Sequence, residues 1–329
     1  MTATTTPAVP GAPATRRGLR PRGLVWTVLR LHRSALLVWG GYVLAMAGWL
    51  LWLRIVTLPR IDQEVASCGD SDPCIDVAAA MTYSSDLSMI GTLVSYLCYG
   101  VAAWAGAALT GRELERGTAK LAWTQSVTPT RWLTAKLAVP AVALVLGTSV
   151  LVLLYRATWA SDRGMVGDEW FNPDPMVNRG PLLVAYALCA LAVGALAGLA
   201  LRRALPALAV AVGFMSWFHV YLDRHTSELW PTETLTDVAA SMVRDEADQI
   251  ALGSVTESGA RVSDLSCFDG AGPDAVRACM ANHEFTGLYA EVHPPSHFWP
   301  LHLMATGVVL AVTVLATTAA FWLLRRRTR

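Results

Sequence analysis

The chain has 329 residues, 54% of them hydrophobic, with a mean hydropathy of +0.41 and only 16% charged. A soluble domain of this length carries more charge on its surface, so composition excludes that class. The net charge of +1 gives no argument for nucleic-acid binding, and no nucleic acid is expected as a partner.

In chain order, residues 1–17 are rich in Thr, Ala and Pro and read as a disordered tail without a convincing signal peptide. The stretch 23–33 (GLVWTVLRLHR) puts Leu24, Val28 and Leu31 on one face and Arg30 and Arg33 on another. It reads as an amphipathic helix on the inner leaflet, with Trp26 at the interface, rather than as the start of the first span. A bilayer crossing needs about 20 apolar residues. Six blocks qualify: residues 34–58, 87–109, 133–155, 181–201, 204–222 and 300–324. Only Arg202 and Arg203 separate the fourth from the fifth, which predicts a tight hairpin with Pro206 in the first turn of the returning helix.

Charge sets the orientation. Arg16, Arg17, Arg20, Arg22, Arg30 and Arg33, then Arg112, Arg116, Lys120 and Arg131, then Arg202 and Arg203, then Arg325, Arg326, Arg327 and Arg329 all fall on one side of six spans. The acids, such as Asp62, Glu64, Asp70, Asp72 and Asp76, gather on the other, with Glu113 and Glu115 as exceptions. The positive-inside rule then places both termini in the cytoplasm. Cys68 and Cys74 share the first outside loop and Cys267 and Cys279 the last, which points to two local disulfides over four free thiols.

Span two carries a polar stripe, Ser88, Thr92, Ser95 and Tyr99, at helical spacing. It lines a transport path or hydrogen-bonds a neighbouring helix, the commoner use of such residues in membranes. Gly194 and Gly198 form a small-xxx-small pair whose partner helix lies in this chain or in a second copy. His219 near the outer end of span five is a proton relay or part of an aromatic belt. The loop 223–299 is long and acidic, and the spacing of Leu235, Val238, Met242 and Ile250 predicts a small helical cap stapled by Cys267 and Cys279. His283, His293 and His297, with Glu284 and Glu291, invite a metal reading. The segment HPPSH cannot be a helix, so its spacing is not that of a helical zinc pair, and no metal site is expected. DSDPCID at Asp70, Asp72 and Asp76 lacks the glycine and terminal Glu of a calcium loop. No phosphate-binding G-x-x-x-x-G-K-[ST] loop is present, so ATP hydrolysis by that route is not expected in this chain, nor is any catalytic residue.

The stretch 111–132, GRELERGTAKLAWTQSVTPTRW, is polar between two apolar runs. Glu113 and Arg116 sit on the helix leaving span two, and Gly117 supplies a stop. Thr118 caps a short helix, with Lys120 toward water and Leu121 toward lipid. Thr128 and Pro129 start span three. The segment exceeds what a plain connection needs and reads as a docking element for a cytoplasmic partner.

Glu113, Gly117, Thr118, Thr128, Arg131 and Lys136, together with the six-span topology, resemble the permease subunits of the ABC-2 type ABC transporters. The resemblance implies an all-α membrane fold: six spans, an N-terminal interfacial helix, both termini inside and one membrane domain over residues 18–329. It implies a second permease copy, identical or related, around a central path in contact with membrane lipid. It also implies separate ATP-binding subunits that hold ATP and Mg, leaving this chain without a cofactor. Segment 110–132 would be the coupling element, through Arg112, Glu113, Glu115, Gly117, Thr118, Lys120, Thr128 and Arg131, with Glu113 and Glu115 as charge partners for the ATPase. Pairing of Glu113 with Arg112 or Arg116 on its own helix is the plainer reading. The outside loop of near 75 residues departs from the simplest family pattern. Export of a small amphipathic molecule across a bacterial plasma membrane is expected, the bacterial origin resting on the excess of Arg over Lys. A non-transporting sensor or assembly subunit, or an intramembrane enzyme using His219, His283 or His297, are the competing readings.

Overall fold

A computed structural model describes residues 24–67, 78–124, 127–161, 169–236, 247–268 and 272–328. The tail, the Cys68 and Cys74 pair and the acids Asp70, Asp72 and Asp76 lie outside the described residues, as do the side chains of Lys120 and Leu121.

Among the described residues, six helices are long and apolar enough to cross a membrane: Arg33–Ser67, Ala78–Glu115, Pro129–Trp159, Pro181–Leu201, Ala204–Leu229 and Pro295–Thr328. They match the six apolar blocks but run further at several ends. The third, at 31 residues, is about 46 Å long and outreaches an apolar core of about 30 Å. The first span passes through a π-helical turn at Leu53–Thr57, just before Pro59. Proline cannot donate to the carbonyl four residues back, and the wider turn accommodates it.

Span four is the hub, buried on nearly all sides and packed against spans two, three, five and six. It ends at Leu201, where Arg202 takes a left-handed conformation (φ 55°) and Arg203 is extended, and span five starts at Ala204. The hairpin is therefore as tight as the sequence predicts. The glycine pair on span four packs within the chain. A Cβ on Gly194 would lie 2.7 Å from the Ala105 Cβ, and one on Gly198 would lie 2.0 Å from the Thr110 hydroxyl. The facing stretch of span two, Ala105–Gly111, is π-helical. It also meets span five, where a Cβ on Gly106 would stand 2.9 Å from the Ala207 carbonyl. Small residues thus let three backbones converge, the main source of helix association where lipid removes the hydrophobic drive.

The N-terminal helix, Leu24–Leu31, precedes span one as a separate element. Val28 is buried and Leu31 is 58% exposed, so the face expected to carry both is split.

The loop between spans five and six corrects the helical-cap expectation. It holds a four-stranded antiparallel sheet, ordered β1-β4-β2-β3, with β1 Glu233–Thr236, β2 Asp248–Thr256, β3 Arg261–Val262 and β4 Phe285–His293. Among the described residues of this loop the helix Pro273–Asn282 completes it, and Val238 and Met242 lie outside the described residues. Leu235 sits in β1 and Ile250 in β2. Gln249 pairs with Val292 and Ala251 with Glu291, so Ile250 is the extra residue of a bulge. The bulge breaks the period-two pattern and leaves apolar spacing that imitates a helix. Cys267 and Cys279 are disulfide-bonded, tying the chain after β3 to the helix.

Candidate functional site

The arginine-rich end of the bundle is stitched by charged side chains. Span two continues through Arg112–Glu115, and Gly117 then turns the chain at φ 73°, open only to glycine without strain. The short helix Thr118–Thr124 follows. Thr128 caps span three by accepting the Arg131 N–H at 3.4 Å, with Pro129 first in the helix. The break, helix, break, helix order is the one the spacing predicts.

Glu113 does not pair with Arg112 or Arg116 and does not face outward. Its carboxylate closes an ion pair with Lys136 of span three, whose side chain is 3% exposed and whose ammonium also donates to the Leu109 carbonyl at 2.9 Å. The Lys136 nitrogen lies 5.1 Å from the centre of the Trp132 ring. Glu115, though exposed, is also engaged within the chain, its Oε2 accepting the Ala204 N–H at 3.0 Å. Ala204 opens span five, so a carboxylate satisfies one of that helix's unpaired donors and complements its dipole. In a matching arrangement Arg327 of span six donates to the Ala200 carbonyl at 3.2 Å and to the Leu199 carbonyl at the end of span four. Both acids expected to meet a partner thus have partners within the chain, Glu113 half-buried and Glu115 exposed. Arg112, Arg116, Thr118, Thr128 and Arg131 remain exposed.

The polar stripe of span two faces inward. Thr92 and Ser95 donate to the Asp174 carboxylate at 2.7 and 2.9 Å. Asn178 donates to Ser95 Oγ at 3.1 Å and to the Gly91 carbonyl at 2.9 Å. Tyr99 shares a hydrogen bond of 3.1 Å with His219 Nδ1, and that ring stacks on Tyr186. Ser88, one turn before Thr92, is half-buried. Asp174 and Asn178 sit on the short helix Pro173–Asn178 ahead of span four and have no counterpart in the sequence reading. An acid and an amide beside two prolines, in FNPDPMVN, are the signal that marked them.

Near the sheet, His293 and His297 come together with their Nδ1 atoms 3.0 Å apart. His293 Nε2 reaches the Ser227 carbonyl at 2.9 Å, and His297 Nε2 lies 3.3 Å from Glu233. His283 instead stacks on Phe285. The one cluster of metal-type donors among the described residues is Cys267, Cys279 and His283, and its two sulfurs are spent in the disulfide. Arg179 packs 3.4 Å over Trp159 and 4.3 Å over Phe298, and burial pulls it down to about 10.

Six apolar helices sealed by internal polar contacts define a multi-pass membrane protein. Residues 40–225, more than half of the chain, match the ABC-2 membrane transporter related family, and the chain belongs to that family. No curated protein and no solved structure matches it. Membership makes the chain an ABC-2 type permease, a transport component that works with an ABC ATP-binding subunit and is not itself the catalyst. The matched region runs from span one to the end of the span-five helix, and the sheet and span six follow it.

Proposed function

We propose that this permease exports a small amphipathic molecule from a bacterial cell, with both termini in the cytoplasm and the sheet outside. A separate ATP-binding subunit docks on segment 110–132. The chain forms one membrane unit over residues 18–329, crossed by a path shared with a second permease copy. The orientation rests on the arginines at one end of the bundle. The observation that supports coupling is the double inward anchoring of the segment: Glu113 to Lys136 of span three and Glu115 to the start of span five. A push on the Thr118–Thr124 helix is thereby delivered to three spans at once. Closure of the ATP-binding pair moves the permease only if the helix is held differently in the open and closed states. ATP and Mg belong to the partner. This chain supplies the lever.

The experiment is co-purification of the tagged chain with the ATP-binding protein encoded beside it, with ATPase activity read in proteoliposomes. Wild type retains and stimulates the ATPase, and Gly117→Val, which strains the turn, retains its fold but loses stimulation. If wild type captures no ATP-binding protein, the coupling reading fails.

A further inference from the structure

Two adjoining hollows lie between the N-terminal helix and spans one, two and three, and they differ in chemistry. The first, about 540 Å³, is walled by Trp39, Tyr42, Val101, Trp104, Pro140 and Ala143. The second, about 520 Å³, is bordered by Arg112, Arg116, Thr118, Trp132 and the Lys136–Glu113 pair. Val28, His32, Ser34, Ala35, Trp104 and Ala108 line both, so the two are continuous. Each is of a size usual for ligand sites, about 300–1,000 Å³.

We infer that this groove binds one anionic phospholipid, with its phosphate among Arg112, Arg116 and His32 and an acyl chain along Trp39, Tyr42 and Trp104. Three observations carry the assignment. The first is charge. Lys136 and Glu113 cancel each other, while Arg112 and Arg116 have no carboxylate partner among the described residues. The polar hollow therefore presents two uncompensated cations. The second is His32. It is more than nine-tenths buried, its Nε2 has no hydrogen-bond partner, and it stands where the hollows meet, its ring edge-on to Trp104. A buried ring nitrogen without a partner is costly, and a phosphate oxygen satisfies it. The third is length. Along span two the apolar wall runs from Ala108 to Leu97, about 16 Å at helical rise, close to one leaflet of a core about 30 Å thick. A charged head at one end of a leaflet-long apolar channel suits a phospholipid better than a free anion.

The test is native mass spectrometry of the full chain released from nanodiscs of phosphatidylglycerol or phosphatidylcholine. Wild type retains phosphatidylglycerol over phosphatidylcholine. Each arginine near a membrane surface contributes about fivefold in affinity, so Arg112→Gln with Arg116→Gln lowers retention by about 30-fold. Arg325→Gln, an exposed arginine away from the groove, leaves it unchanged. His32→Phe keeps the ring against Trp104, removes the donor and lowers retention several-fold. Ala143→Phe fills the channel and lowers it without touching the head site. Equal retention of the two lipids overturns the proposal, as does an unaffected arginine pair. Displacement of the lipid by inorganic phosphate alone would make this a free-anion site. Crosslinking of two copies through cysteines at Ser34 and Ala35 would show that a second chain covers the groove. Either result also overturns the lipid assignment.

Discussion

Lys136 of span three and Glu113 at the end of span two form a closed ion pair in a setting almost sealed from solvent. Breaking a buried pair from one side leaves an uncompensated charge, at a cost of about 3–5 kcal/mol. The two sides differ. Glu113→Gln strands the ammonium of a side chain that is 3% exposed, whereas Lys136→Met strands the carboxylate of a side chain that is 17% exposed. The first substitution should lower the unfolding midpoint in detergent more than the second. The double variant should recover much of the loss. Additive effects of the two changes would show that the pair carries no coupling energy.

Gly198 makes a second prediction. A Cβ there meets the Thr110 hydroxyl at 2.0 Å and the Gly106 carbonyl and Gly111 nitrogen at 2.9 Å. Gly198→Val should destabilise the bundle by about 1–3 kcal/mol or more through overpacking. Thr110→Ala should restore only part of this, because the backbone contacts remain. Full rescue in a thermal-unfolding assay would mean that the hydroxyl alone enforces the glycine.

The membrane part of the fold was legible because its determinants are local: runs of apolar residues, two arginines at a hairpin, a Thr-Pro helix start. The same holds for Cys267 and Cys279, twelve residues apart on one loop. What escaped depends on distant partners. Glu113 has oppositely charged neighbours on its own helix, yet its partner is 23 residues away on span three. Thr92 and Ser95 share a face in the sequence, but only the packing of the short helix Pro173–Asn178 on span two brings Asp174 to them. The sheet was missed because strand pairing joins residues nearly sixty apart, such as Glu233 and Val292, and the bulge at Ile250 disguised the alternation.

Asp174 itself is testable. It accepts from two side chains of span two at once, and Gly91 lies so near that an added Cβ would sit 3.0 Å from the Asp174 Cβ. Asp174→Ala leaves Thr92 and Ser95 without their acceptor, at about 1–3 kcal/mol for such buried donors. Asp174→Asn keeps one acceptor oxygen and should cost less. If transport rather than stability changes in both variants, the stripe belongs to the path and not to the packing.

Reduction of Cys267–Cys279 should act locally. Opening a loop of twelve residues removes about 3 kcal/mol by the chain-entropy estimate. Limited proteolysis after reductant should therefore cut within residues 247–293 while leaving the spans intact. Unchanged cleavage would mean that the pairing of β2 with β4 holds the sheet unaided.

His32 makes the stability of the fold depend on pH. Burial, then the nearby Lys136 ammonium, lowers His32 from 6.5 to about 4. Arg112, Arg116 and Tyr42 border the same hollows, and Glu113 is already engaged with Lys136. The folded protein holds this ring neutral, while the unfolded chain protonates it near 6.5. The stability it contributes is thus complete above about 6.5 and is lost as pH falls toward 4. Lipid-free protein should show a midpoint that drops across that window, and His32→Phe should flatten the drop. A bound phosphate reverses part of the effect, because an anion beside Nε2 favours the imidazolium and lifts the ring's pKa. Phosphatidylglycerol should therefore protect the wild type most at pH 5 and give His32→Phe no such pH-dependent gain. Identical pH profiles for the two proteins with and without lipid would separate His32 from both roles.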